Sequence, residues 1–232
     1  MTDDRRGAEG RRLRVLQSFR GPRPTTNPYL VELLDATRQG ADVRTFTWRS
    51  ALLDRYDVLH VHWPEVMLRG SDRRRTLARR ALFALLMLRI RVTRTALVRT
   101  VHNTRPHEAG SRAEAALLRW CDRLTTLQVR LNAEMPSPLS APEAVVLLAH
   151  YGGWYRHRRV PSSVEGRLLY FGLVRPYKGV PQLLDAFEHL DDPDASLRVV
   201  GSCDDRELEA RIVSGVAADA RVSAELSYVD DD

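Results

Sequence analysis

The chain has 232 residues, enough for one large or two small domains, and its 44% apolar and 28% charged residues are those of a globular protein, not a disordered one. The longest unbroken apolar run, Ala81–Leu88, is too short to span a bilayer, so no transmembrane helix is expected. The net charge of +6 rests on arginine, because Lys178 is the only lysine; a background this poor in lysine makes that position stand out more than the charge total does.

Met1–Arg12 is polar and charged, a composition that predicts disorder. Leu13–Phe19 reads as a strand, followed by a Gly-Pro-Arg-Pro loop and a helix opening near Asn27. Pro28 suits the first helical position, and Leu30, Leu33 and Leu34 supply the buried stripe. Gly40 ends that helix, Val43–Thr47 makes a second strand, and a third, Asp57–His62, runs into Trp63-Pro64-Glu65. Residues 73–91 form a long basic helix, and Ala96–Val101 a strand ending at His102-Asn103. A helix over Arg112–Cys121 and strands at Leu124–Gln128 and Ala144–Leu148 follow. Strands alternating with helices predict a parallel sheet with helices on both faces.

Residues 151–163 hold Gly152, Gly153 and Pro161 among polar residues and mark a linker. Beyond it come a strand (Leu168–Phe171), a helix (179–190), a strand (Ser196–Val200), a helix (204–213) and a strand (Arg221–Leu226). The expected organisation is a disordered 1–12, a first α/β domain over 13–150, the linker, and a second α/β domain over 164–232.

Within the second domain, Leu168–Phe171 runs into Gly172, then into a turn carrying Arg175 and Lys178, then into Gly179 and an amphipathic helix. Glycine lets backbone approach a ligand closely, while helix-start N–H groups and cations face an anion, so this turn suits a diphosphate. It is not a Walker loop, since no Gly-x-x-x-x-Gly-Lys-Ser/Thr occurs. In the first domain, His60 and His62 alternate on one strand and share a face, and His102 ends the next strand. Strand carboxyl ends are where open α/β sheets bind ligands. His60 alone reads as a packed strand histidine; His62 and His102 read as functional. Glu65, His107 and Glu108 on the loops that follow are candidate general bases or hydroxyl-binding groups.

The words Asp-Val-Leu-His-Val-His-Trp-Pro-Glu, Thr-Val-His-Asn-Thr-Arg-Pro-His-Glu and Ala-His-Tyr-Gly-Gly-Trp-Tyr precede the Tyr-Lys-Gly turn in order. Together they resemble bacterial exopolysaccharide glycosyltransferases of GT-B type, with the turn similar to that of glycosyltransferase family four. The resemblance implies two Rossmann-like, doubly wound parallel-sheet domains, the first on the acceptor side and the second holding a nucleotide sugar. It places the diphosphate at Gly172, Arg175, Lys178 and Gly179, His102 near the transferred sugar, and Asn27, His62 and Asn103 in the cleft. Catalysis would involve His102, with Glu65, His107 or Glu108 deprotonating the acceptor if transfer inverts configuration and no base needed if it retains it. One departure is that the family's arginine directly follows the first glycine, where this chain has Leu173. The resemblance further implies that the second domain is incomplete, because in that pattern more helices and strands follow a segment like Leu226–Asp232. A closer likeness to GDP-mannose-dependent β-mannosyltransferases acting on lipid-linked oligosaccharides implies GDP-mannose as donor and a lipid-linked or polysaccharide acceptor. No metal or other cofactor is implied, the cation Lys178 taking a metal's part.

Competing expectations are an inactive GT-B relic, a membrane-binding scaffold, and a metal-dependent hydrolase, since a His-x-His at a strand end also opens amidohydrolase zinc sites. The hydrolase needs an eight-unit barrel, which this element pattern does not supply. Asp192-Pro193-Asp194 reads as a helix-ending turn, not a metal motif. The basic 73–91 helix suits either packing or docking to anionic lipid; nucleic acid is not expected, since no recognised module accompanies it. Cys121 and Cys203, far apart and without metal-like spacing, agree with a reducing, cytoplasmic setting, and docking of the 73–91 helix would make the protein peripheral on the inner face of the plasma membrane.

Overall fold

A computed structural model describes residues 11–23, 26–102, 110–148, 150–151 and 162–229. The chain divides into two compact units, Met1–Arg156 and His157–Asp232. Asn103, His107, Glu108 and most of the 151–163 segment lie outside the described residues.

The first unit runs β1 (Leu13–Gln17), α1 (Pro28–Gly40), β2 (Ala41–Arg44), α2 (Trp48–Leu53), β3 (Val58–His62), α3 (Pro64–Leu68), α4 (Arg73–Thr93), β4 (Ala96–Val101), α5 (Arg112–Leu124), β5 (Leu127–Arg130) and β6 (Glu143–Val145). Its strands form one six-stranded sheet in the order β2-β1-β3-β4-β5-β6, every pair parallel. This is an open sheet and not a closed barrel, so the hydrolase expectation lacks its scaffold. Strand order reverses between β1 and β3, which makes their carboxyl ends the topological switch point.

Most sequence boundaries hold to within a few residues, and the differences have local causes. α2 was not foreseen because it has only six residues, but its start is chemically marked. Thr47 Oγ1 accepts from Ser50 N–H at 2.9 Å, and Ser50 Oγ accepts from Thr47 N–H at 3.0 Å, a capping box built on two hydroxyls. α3 spans five residues, too few for any periodicity to register. α5 continues to Leu124, which moves β5 three residues beyond its expected start. β5 and β6 are parallel but joined without a helix. Gln128, fully buried, donates to Ser137 Oγ (2.6 Å), Leu139 O (2.9 Å) and Ala141 O (2.9 Å), which supplies that crossover with the partners a helix would otherwise give itself.

The core of this unit lies between the sheet and the helices. Leu16, Leu59, Val61 and Leu97 meet Phe83, Leu86, Met87 and Ile90 of α4, all at most 2% exposed. Each such side chain contributes about 1.5–3 kcal/mol of hydrophobic stabilisation. Arginines bind α4 to its surroundings: Arg89 lies over the Tyr56 ring at 4.4 Å and donates to Ala51 O and Asp54 O. Arg80 joins Arg69 on the buried carboxylate of Glu114. The opposite face of α4 is different in kind. Leu77, Ala81, Leu85, Leu88 and Val92 follow one another at helical spacing and are all exposed, flanked by exposed Arg73, Arg74, Arg91 and Arg94.

The second unit runs β7 (Arg167–Phe171), a 3-10 turn (Pro176–Lys178), α6 (Val180–Glu188), β8 (Ser196–Val200), α7 (Arg206–Ala218) and β9 (Val222–Glu225). The strands are parallel in the order β7-β8-β9. Val180, Leu184 and Phe187 of α6 and Leu208 and Ile212 of α7 pack on Leu197, Val199 and Val222. Asp192 Oδ1 accepts from Asp194 N–H at 2.9 Å, so the Asp-Pro-Asp segment is a side-chain-closed turn, and Arg221 ties it down through Asp192 O at 2.8 Å.

Candidate active-site elements

At the switch point of the first unit, alternation along β3 sends Leu59 and Val61 into the α4 core and both histidines to the other face. Their rings lie 4.2 Å apart. His60 Nε2 is 2.8 Å from Thr100 Oγ1 on β4, whereas His62 Nδ1 is 3.2 Å from His102 Nε2 and His62 Nε2 is 3.3 Å from Gln17 Oε1. Ser18 closes the strand ends, accepting from His62 N–H at 2.8 Å and donating to His62 O at 3.2 Å. The three histidines expected at neighbouring strand ends are brought together, His62 hydrogen-bonded to His102 and His60 packed beside them with a hydroxyl partner.

Trp63 stacks on His102 with ring centroids 3.9 Å apart and 20° between planes. It does so from φ 43°, ψ 64°, a left-handed conformation that is costly for a bulky residue. Pro64, the first residue of α3, disfavours the right-handed helical region for the residue before it, and the stack holds the remaining choice. Tyr29 meets His102 edge-on at 5.3 Å. Asn27 caps α1 by accepting from Tyr29 N–H at 3.0 Å, and so orients the turn that carries that tyrosine. Glu65 sits in the first turn of α3, two residues past Trp63. Beside the histidines, a cavity of about 760 Å³ is lined by Phe19, Arg20, Phe46, Trp48, His62 and Trp63.

All three rings are held neutral. Burial pushes His102 down to about 4; burial and the neighbouring His102 push His60 down to about 4; burial with both neighbours pushes His62 lower still. A charged ring here would be poorly solvated and would repel two others.

The second element is the turn after β7. Gly172 (φ +119°), Gly179 (φ +74°) and Gly201 (φ +141°) all occupy conformations that side chains disfavour. At Gly201 a Cβ would fall 1.9 Å from Gly172 O, so the ends of β7 and β8 can approach only as two glycines. Lys178 closes the 3-10 turn and reaches back: a Cβ built on Gly172 would lie 3.9 Å from its Nζ. Gly179 starts α6, whose first-turn N–H groups lack intrahelical acceptors. Gly172, Lys178 and Gly179 are thus gathered into one anion-suited turn. Arg175 instead pairs with Asp204 at 3.0 Å, while Lys178 makes no ion pair among the described residues.

Sequence reasoning missed Gln17, Tyr29 and Gly201. The first lies at the end of a strand flanking the switch point, and Gly201 ends the strand beside the glycine turn; both could be found by asking what abuts a known site.

No family model matches the chain. It is 44% identical over 227 residues, 97% of its length, to a GDP-mannose:glycolipid 4-beta-D-mannosyltransferase of Xanthomonas campestris pv. campestris, and equally so to a second such sequence from that organism. The chain spans 64% of the length of each of these relatives. Among solved structures it is similar to Anabaena HepE in complex with UDP and glucose, at TM-score 0.56 and 14% identity, covering 94% of this chain and 70% of that one. The same protein in complex with UDP-glucose aligns at TM-score 0.57 and 12% identity over the same shares. By fold the chain is of the GT-B type, and by sequence it is similar to the GDP-mannose:glycolipid 4-beta-D-mannosyltransferases.

Proposed function

We propose that this chain serves a glycosyltransferase that moves mannose from GDP-mannose to a glycolipid acceptor. The observation that carries the reading is the 44% identity to mannosyltransferases over 227 residues, a span that takes in both the histidine cluster and the Gly172 turn. Lys178 would neutralise the departing diphosphate, with α6 N–H groups and, once released from Asp204, Arg175 beside it. That electrostatic work needs no metal, and none is proposed. His102 would orient the sugar. GDP-mannose carries its sugar through an α linkage, so a β product requires inversion and a base for the acceptor hydroxyl. Glu65 is the candidate within the described residues, and His107 and Glu108 remain candidates beyond them. The aromatic cavity beside His62 suits an acceptor sugar, since Trp48 and Trp63 offer flat apolar rings among polar groups.

The acceptor's lipid gives the outer face of α4 a purpose. No helix among the described residues is long and apolar enough to cross a membrane. The exposed Leu77–Val92 stripe, flanked by arginines, would lie in the headgroup region of an anionic cytoplasmic leaflet. Anionic vesicles should co-sediment the protein, neutral ones much less, and Leu85→Glu together with Leu88→Glu should release it. Equal binding to both vesicle types would leave α4 a packing element. The function itself is tested by transfer of label from GDP-[14C]mannose into an organic-extractable glycolipid by the protein at its natural length. Transfer from UDP-sugars alone would overturn the donor assignment.

A further inference from the structure

The histidine cluster contains a buried chain of hydrogen bonds whose inner end is Gln17, and that end determines what the outer end presents. We infer that Gln17 is a positioning residue: through His62 it fixes the tautomer of His102, so that His102 offers Nδ1 as a hydrogen-bond acceptor to a ligand hydroxyl.

The argument follows the chain outward. Gln17 is fully buried and His62 is 3% exposed, so neither exchanges partners with water. With the amide turned so that Oε1 faces His62 and Nε2 is left buried without a partner, Gln17 can only accept there, so His62 Nε2, 3.3 Å away, carries the proton. A neutral His62 then has a bare Nδ1, which can only accept from His102 Nε2 at 3.2 Å. His102, neutral for want of solvation, therefore has its single proton on Nε2. Its Nδ1 is left with a lone pair and no hydrogen-bond partner among the described residues. Every other contact to the rings is compatible with this assignment. Thr100 Oγ1 binds His60, Ser18 binds the His62 backbone, and Trp63, Tyr29 and Phe19 touch by their rings. No carboxylate among the described residues hydrogen-bonds or ion-pairs with the three imidazoles, so nothing competes with Gln17 for control of the proton. Stacking on Trp63 fixes the plane of His102, which converts a tautomer into a direction.

The ligand hydroxyl is a sugar hydroxyl only on the proposed-function reading; the tautomer itself does not depend on it. The test is long-range 1H–15N NMR of the histidine rings near neutral pH, in the absence of any sugar. His102 should show a pyrrole-type Nε2 and a pyridine-type Nδ1, and His62 the same pattern. Gln17→Glu places a carboxylate against His62 Nε2 and should raise the titration of the His62–His102 pair by one pH unit or more. Gln17→Leu should leave both rings as tautomer mixtures. A wild-type His102 protonated on Nδ1, or a Gln17→Glu pair titrating as in the wild type, would overturn the inference. The wild-type spectrum decides even where a variant fails to fold. A protein that transfers no sugar yet shows this tautomer would refute the proposed function and leave the relay standing.

Discussion

The two elements that the sequence singles out are built on opposite principles. In the first unit, side chains do the work: two part-buried histidines and a buried one are packed with a buried glutamine and aromatic rings, and every imidazole is held neutral. In the second unit, backbone does the work. Two glycines at positive φ, Gly172 and Gly201, let two strand ends come together, a third, Gly179, opens α6, and one lysine stands exposed beside them. The first arrangement suits hydroxyl groups, which need fixed, uncharged donors and acceptors. The second suits a phosphate, which needs N–H groups and a cation that stays solvated until the ligand arrives. The two should accordingly fail in different ways.

The largest effect is expected at Gly201. Gly201→Val combines a disfavoured φ with an overlap against Gly172 O, and should cost about 3 kcal/mol or more of stability in the second unit. Limited proteolysis should cut this unit while the first stays intact and keeps its histidine spectrum. A variant as protease-resistant as the wild type would show that the glycine contact is not required.

Acid should act on the other unit. In the unfolded chain the histidines protonate as pH falls through about 6.5. In the folded chain His60 and His102 resist to about 4, and His62 resists further. The unfolded state thus binds more protons in that window, and stability present above about pH 6.5 is lost as pH falls toward 4. The Asp57 carboxyl, held below the usual range by Arg14, adds its own loss only at lower pH. Thermal melts of wild type and His62→Asn should diverge in slope between pH 7 and pH 4.5, the variant falling less steeply. Parallel slopes would mean that the cluster is not held neutral.

The smallest effect is expected from Asp204→Asn. It removes a mostly exposed ion pair worth under about 1 kcal/mol, so the melting temperature should hardly change. Releasing Arg175 and deleting a nearby negative charge should tighten GDP binding a few-fold, read by calorimetry; weaker binding would mean that the pair builds the turn.

What was legible in the sequence follows the same division. Strands β3, β4, β7 and β8 were read nearly to the residue, because buried parallel strands are short apolar runs with glycine or histidine at their ends. The Gly172, Lys178, Gly179 turn was legible because glycine spacing encodes backbone conformation directly. Gln17 was not, since one glutamine ending a strand carries no periodic signal and gains its meaning from a histidine 45 positions away. Gly201 was not singled out either, because what requires a glycine there, the Gly172 carbonyl, lies on the neighbouring strand end. The membrane and packing readings of α4 stood as alternatives in the sequence because a helix that is apolar on two faces has no clean period; one face packs, and the other is exposed and flanked by arginine.

The central claim is that Lys178 holds the diphosphate over Gly172. It is tested most directly by measuring GDP and GMP affinities, by calorimetry, for the wild type and Lys178→Ala in the protein at its natural length. Loss of a charge-assisted phosphate contact costs about 1.5–3 kcal/mol, a factor of about ten or more. The wild type should therefore prefer GDP over GMP by at least that factor, and Lys178→Ala should lose most of the preference while melting at the wild-type temperature. A variant that keeps the full preference for GDP would contradict the account.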